Sequence, residues 1–194
     1  YVNAIGNRHF LNWLPTKPYL KLIYWSRTGK SLNFRKPVTF NEKLQWLKLY
    51  DRKAKYSKYV DKYEVRKYIA ITLGEEYLIP LLGVYESVEE IPWNELPKKF
   101  VLKCTHGSGS NIICGDKSKL DIDGTKKKLK KWMKRNWYYF GREWPYKNVK
   151  PRIICEKYIV DESGTELKDY KFMCFNGKPK IIQVMSERKN DHYL

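Results

Sequence analysis

Phe100-Val101-Leu102-Lys103-Cys104-Thr105-His106-Gly107-Ser108-Gly109-Ser110-Asn111 decides how this chain is read. Phe100 to Leu102 is a short apolar run and reads as a buried strand. It delivers Lys103 to the mouth of a loop of small and hydroxyl residues, after which Ile112-Ile113 resumes the apolar pattern. A lysine at a strand end before a glycine-rich loop suits phosphate: the backbone approaches closely, its N–H groups converge, and the ammonium supplies charge. The spacing is not that of a Walker A loop, which needs Gly-Lys-Ser/Thr opening a helix. Here the chain returns to strand, so the loop reads as a flap in a hairpin. A polar hairpin turn beside a surface lysine is the alternative.

Working outward, the order of elements is helices first, then strands with one basic helix inserted, which predicts an α+β fold. Pro18 to Thr28 reads as a helix stopped by Gly29. The prolines and aromatics around it suit either an arm packed on the domain or a segment lying on a membrane surface. Thr39-Phe-Asn-Glu42 has the form of a capping box. Asp61-Lys62 opens a second helix that carries Val65, Tyr68, Ile69 and Leu73 and stops at Gly74. Tyr77 to Tyr85 reads as a strand, and Ser87-Val-Glu-Glu90 as the cap of a short helix. Lys126 to Phe140 reads as one basic helix with Leu129, Trp132, Met133 and Trp137 on one side and its lysine run as a solvated face. Asp121-Ile-Asp123 before it reads as its cap. Arg152 to Val160 is a strand, and Asp169 to Phe175 with Ile181 to Val184 form a hairpin on Asn176-Gly177.

The 194 residues suffice for one domain or two small ones, and 42% hydrophobic content excludes a disordered chain. No stretch has the length of a membrane span. The four cysteines lack any Cys-x-x-Cys pair, which argues against a zinc site; each lies within or beside an apolar run, as buried free thiols in a reducing cytoplasm would. A net charge of +18 predicts attraction to anions. The charge is spread along the whole chain and dominated by lysine, which disfavours a dedicated, specific nucleic-acid reader.

Three further segments join the flap. Lys62 stands at a helix start, where phosphate is favoured; a lysine in an exposed first turn is the ordinary reading. Glu156-Lys157-Tyr158-Ile159 ends an apolar strand with a charged pair, as a hinge lining a base would. Asp169-Tyr170-Lys171 opens the last hairpin, with a surface ion pair as its ordinary reading.

In this order the segments resemble the ATP-grasp ligases. The match narrows on Thr39-Phe-Asn-Glu-Lys-Leu-Gln-Trp-Leu-Lys-Leu-Tyr-Asp51, Asp61-Lys-Tyr-Glu-Val-Arg66, Tyr77-Leu-Ile-Pro80, Arg142-Glu-Trp-Pro145 and Lys168-Asp-Tyr-Lys-Phe172. These look like the teichuronopeptide-type, TupA-like ATP-grasp proteins over nearly the whole chain from Phe10. The resemblance implies ATP as substrate. Lys62 and Lys103 would hold phosphates, with His106, Gly107, Ser108, Gly109 and Ser110 closing over them. Glu156, Lys157, Tyr158 and Ile159 would line adenine, Asp161 or Glu162 would meet the ribose, and Lys171 would complete the site. It implies residues 1–95 as a helical region, 96–155 as the lid subdomain and 156–194 as the hinge and start of a second subdomain. It also implies acyl-phosphate formation on a carboxylate and attack by an amine. An amino acid would thereby join a polysaccharide or sugar-linked acceptor of the bacterial cell surface or capsule. The setting would be cytoplasmic or peripheral to the inner membrane face. Mg²⁺ ligands would lie beyond the final hairpin, so the chain is expected to stop short of them at Leu194; Glu187 and Asp191 are not assigned to metal. Two other readings stand: a glycosyltransferase, which commonly needs a strand-end Asp-x-Asp that is not seen here, and a non-catalytic basic module for anionic glycan or nucleic acid.

Overall fold

The computed structural model describes residues 11–160 and 167–185. Among the described residues four helices come first: α1 (Thr16–Thr28), α2 (Phe40–Tyr50), α3 (Lys55–Val60) and α4 (Glu64–Thr72). Gly29 ends α1 in the left-handed region at φ +67°, a conformation open to a residue without Cβ, and its N–H donates to the Trp25 carbonyl. At the start of α2, Thr39 Oγ1 accepts from Glu42 N while the Glu42 carboxylate accepts from Thr39 N, the reciprocal cap expected from sequence. Tyr19, Leu20, Tyr24, Leu32 and Phe34 form a small core under α1, packed with Leu11, Leu14 and Leu49.

The main sheet has the order β1 (Leu81–Tyr85), β4 (Ile153–Lys157), β2 (Phe100–Cys104), β3 (Asn111–Cys114), antiparallel throughout. On β2, Phe100, Leu102 and Cys104 are fully buried while Val101 and Lys103 are half-buried, as the alternation of a strand requires. The buried set packs with Ile153 and Cys155 of β4 and with Leu129 of α5 (Ile122–Met133). Lys103 and Glu156 therefore lie on the other face. There the segment around Asp61–Arg66 meets the sheet: Lys62 N donates to the Thr105 carbonyl at 3.2 Å, and Arg66 pairs with Glu156. A separate two-stranded sheet pairs β5 (Asp169–Phe175) with β6 (Lys178–Met185) across Asn176-Gly177, both at positive φ.

Several expectations need correction. The run from Tyr77 opens with a 3₁₀ turn at Glu75–Tyr77, and the strand starts only at Leu81, after Pro80. Ser87–Glu90 forms turns rather than a helix: Glu90 takes the Glu86 N–H and the Ser87 hydroxyl, and Pro92 follows. The basic helix stops at Met133. Asn136 then accepts from Tyr138 N and donates to the Lys147 carbonyl, opening a separate short helix, α6 (Tyr138–Gly141). The Asp121 cap is present, accepting from Gly124 N. Cys104, Cys114 and Cys155 are buried free thiols, whereas Cys174 is exposed. Among the described residues no helix is long and apolar enough to cross a membrane.

Candidate nucleotide site

Three separate segments converge where β2 ends. Lys103 is the last residue of β2 before the turn into the flap whose side chain leaves the core. Its Nζ lies 2.6 Å from Glu156 Oε2 on the neighbouring strand. The other carboxylate oxygen of Glu156 receives Arg66 Nη1 at 3.0 Å, and Arg66 Nη2 donates to the Ile79 carbonyl at 2.6 Å. Glu156 is only 5% exposed, so two cations compensate one desolvated carboxylate.

Lys62 comes from the turn between α3 and α4 and donates from Nζ to the Gly107 carbonyl of the flap. It is not in a helical first turn as expected. Asp61 instead accepts from Tyr63 N at 2.9 Å and Glu64 N at 3.3 Å just ahead of α4, and Lys62 is turned toward the sheet. Burial pushes the Lys62 amine below its ordinary pKa, and the nearby Lys103 charge pushes it further. Two ammonium groups beside one loop, one of them poorly solvated, create a positive potential that an anion relieves.

The flap itself is anchored at both ends and open at its tip. Cys104 N donates to the Ser110 carbonyl at 3.0 Å, Thr105 N to the Arg152 carbonyl at 2.9 Å, and Ser110 is buried. Ser108 and Gly109 are exposed, and Gly109 sits at φ +69° with no neighbour where a Cβ would be. A Cβ on Gly107 would stand 3.1 Å from the Trp137 ring, so that glycine lets the flap lie against the indole. His106 is buried and its Nε2 lies 3.1 Å from the Trp132 carbonyl of α5, bracing the flap's base. Burial holds its pKa below the ordinary value, which keeps the ring neutral at pH 7. Burial also raises the Cys104 thiol to about 11, leaving it unreactive.

The structure thus brings together Lys62, Lys103, Glu156 and the loop from His106 to Ser110. Lys157 is exposed and its N–H is taken by the Pro80 carbonyl at 2.9 Å. Tyr158 lies under the Lys99 ammonium, 5.8 Å from its centroid, and Ile159 is 36% exposed. Lys171 is exposed on β5, opposite Gln183, and among the described residues pairs with none of the other site residues. Glu162 and Asp161 lie outside the described residues, as do Glu187 and Asp191.

Sequence reading missed Arg66, the partner that shares Glu156 with Lys103. It also missed Arg152, which reaches Asp61 at 3.5 Å and Glu64 at 2.9 Å and so locks the Lys62 turn to β4. Nothing in the spacing around Arg66 points to Glu156, 90 residues on. Arg152 had only its place at a strand start.

The donor set does not fit Mg²⁺. Among the described residues no three His, Cys, Asp or Glu side chains are grouped for a metal. The carboxylates nearest the flap, Glu156 and Asp61, are already engaged by arginine, lysine and backbone N–H groups.

No curated protein and no solved structure significantly matches this chain. The model of the family described as TupA-like ATP-grasp matches residues 42–193, a span that contains Lys62, Lys103, the flap and Glu156. The chain belongs to the TupA-like ATP-grasp family.

Proposed function

We propose that this chain is the nucleotide-binding part of an ATP-dependent carboxylate–amine ligase. Family membership supports an ATP-using, ligase-type enzyme. The observation that carries the residue-level reading is the meeting of Lys62 and Lys103 at one glycine-rich flap, from segments far apart in sequence.

In this reading the phosphates of ATP lie between the two ammonium groups, under Gly107, Ser108, Gly109 and Ser110. The exposed tip closes over them, and its backbone N–H groups add to the positive field. Lys103 exchanges part of its contact with Glu156 for a phosphate oxygen, and Arg66 keeps the carboxylate compensated meanwhile. Val101, the half-buried apolar position on this face, floors the base. With the Lys157 N–H already spent, Tyr158 and Ile159 supply the backbone edge that reads the purine. Glu162 at the ribose and Lys171 as a further nucleotide-binding residue complete the assignment.

The reaction transfers the γ-phosphoryl group to a carboxylate oxygen, releasing ADP. An amine then displaces inorganic phosphate from the acyl phosphate to form an amide. The lysines hold charge that develops on the transferred group. Mg²⁺ accompanies ATP in this family's chemistry, but no residue described here is assigned to it and no step is derived through it. The acceptor, a cell-surface or capsular sugar, and the amino acid joined to it are part of the same proposal and rest on the family resemblance alone.

Nucleotide competition tests the reading. ATP or ADP should bind in preference to UTP or a UDP-sugar, because a site built to hydrogen-bond one base edge rejects bases that leave its groups unpaired. Preference for the UDP-sugar would favour a glycosyltransferase instead.

A further inference from the structure

α1 carries two stripes. Tyr19, Leu20 and Tyr24 are buried in the small core. Pro18, Lys21, Leu22 and Trp25 recur at the i, i+3, i+4, i+7 spacing of a second face, and this one points outward. Pro18 and Lys21 are exposed, Leu22 is half-buried and Trp25 is 56% exposed. A scattered surface tryptophan needs no explanation, but this one shares its face with a leucine, a proline and a lysine.

Beside the stripe lies a cationic cleft. Along residues 31–35 the side chains alternate: Leu32 and Phe34 are buried in the core under α1, and Ser31, Asn33 and Arg35 are exposed. The two core anchors hold the three polar side chains outward. Together with Lys17, Lys21 and Tyr50 these line a cleft of about 700 Å³ that has three cations and no carboxylate in its wall. Asn33 Oδ1 accepts from the N–H groups of Arg35 at 2.9 Å and Lys36 at 3.3 Å, which leaves its amide group as a donor. Among the described residues none of Lys17, Lys21 and Arg35 has an ion-pair partner. Lys21 belongs to both features and joins the cleft to the stripe.

We propose that this face of α1 docks on an anionic membrane surface. A headgroup phosphate enters the cleft, where Lys17, Lys21 and Arg35 meet its charge and Ser31 and Asn33 hydrogen-bond its oxygens. Trp25 and Leu22 lie beside it at the boundary of headgroups and acyl chains, the level that suits an apolar ring with one polar N–H. A free phosphate would satisfy the cations and leave the indole in water. A single-stranded nucleic acid could stack on Trp25 but needs cations along a track of phosphates, whereas here three converge on one cleft. With 13 residues α1 is too short to cross a bilayer, so the contact is one of lying on its surface. The proposal rests on α1 and residues 31–35 and not on the nucleotide reading.

Co-sedimentation with vesicles tests it, using phosphatidylcholine alone and phosphatidylcholine mixed with phosphatidylglycerol, at physiological salt. The chain should pellet with the mixed vesicles and stay in solution beside the neutral ones. Lys17→Gln combined with Lys21→Gln should weaken binding at about fivefold for each charge removed. Trp25→Ser should weaken it about tenfold, the effect of withdrawing one large apolar side chain from burial. Arg35→Gln, with an effect like that of one lysine, serves if the double variant does not fold. A chain of charge +18 is drawn to any anionic surface, so Lys127→Gln with Lys128→Gln, both exposed on α5, removes equal charge elsewhere and should matter far less. Inorganic phosphate and poly(U) are the soluble rivals. Equal binding to both vesicle types, an equal loss in the α5 variant, or no loss in Trp25→Ser would overturn the proposal. So would release from the vesicles by millimolar phosphate, or variant losses seen with poly(U) and not with vesicles.

Discussion

The four-stranded sheet and the β5–β6 hairpin are built from similar local signals and end in opposite environments. In the sheet, β4 is buried from Ile153 through Glu156, with helices on one side and the Asp61–Arg66 segment on the other. In the hairpin, Tyr170, Phe172, Ile182 and Val184 share one face and are each more than half exposed. Its Phe175 meets Phe40 of α2 at 6.3 Å between centroids. Two lysines that the sequence suggested for one site therefore differ: Lys103 has a buried carboxylate beside it, and Lys171 lies in solvent. Strand pairing is written locally, in alternation and turn residues. Charge perturbation, the physical basis of a phosphate site, depends on what the rest of the chain brings over the strand.

Glu156→Gln breaks the sheet side of this contrast hardest. It leaves Lys103 and Arg66 facing a neutral amide in a buried position, and loss of one partner in such a cluster costs about 3–5 kcal/mol. Urea unfolding should show that loss; a change below about 1 kcal/mol would mean the cluster is already solvated.

Lys62→Met sharpens the comparison because stability and binding should move in opposite directions. The folded chain holds the Lys62 pKa below its unfolded value, so the unfolded state binds more protons between the two. Stability therefore rises with pH through that window, and at neutral pH the charged amine is a burden on the free protein. The methionine variant should melt higher than wild type at pH 7, with the gain shrinking as pH rises through the window. Its ADP affinity should fall about tenfold through loss of a charge-assisted contact. A lower melting temperature would show that the contact with the Gly107 carbonyl outweighs desolvation.

Lys171→Ala marks the other end. An exposed lysine on an exposed strand should change stability by no more than about 0.5 kcal/mol. A larger loss would mean that the hairpin is covered in solution.

Much of the secondary structure was legible because its signals are local: the Thr39–Glu42 box, the Asp121 cap, Gly29, and Asn176-Gly177. The break after Met133 was not, because Asn136 is tied to the Lys147 carbonyl, 11 residues on, a contact no local pattern announces. The late start of β1 follows from Pro80, which the apolar run around it concealed. At the site, Lys103 and the flap were readable from one strand and one loop. The Glu156 cluster was not, since Arg66 lies 90 residues away and nothing in either segment names the other. Glu156 was read as part of a base-lining hinge; its side chain instead sets the charge around Lys103.

The central claim is that Lys103 serves a nucleotide phosphate beneath the flap. Calorimetric titration of ADP into wild type and Lys103→Gln tests it most directly, because glutamine can still hydrogen-bond Glu156 while Arg66 continues to compensate the carboxylate. The account predicts at least roughly a tenfold loss of ADP affinity in the folded variant, from the loss of a contact worth about 1.5–3 kcal/mol, together with a lower melting temperature from the loss of one cation beside Glu156. Equal ADP affinity in the two folded proteins would contradict it.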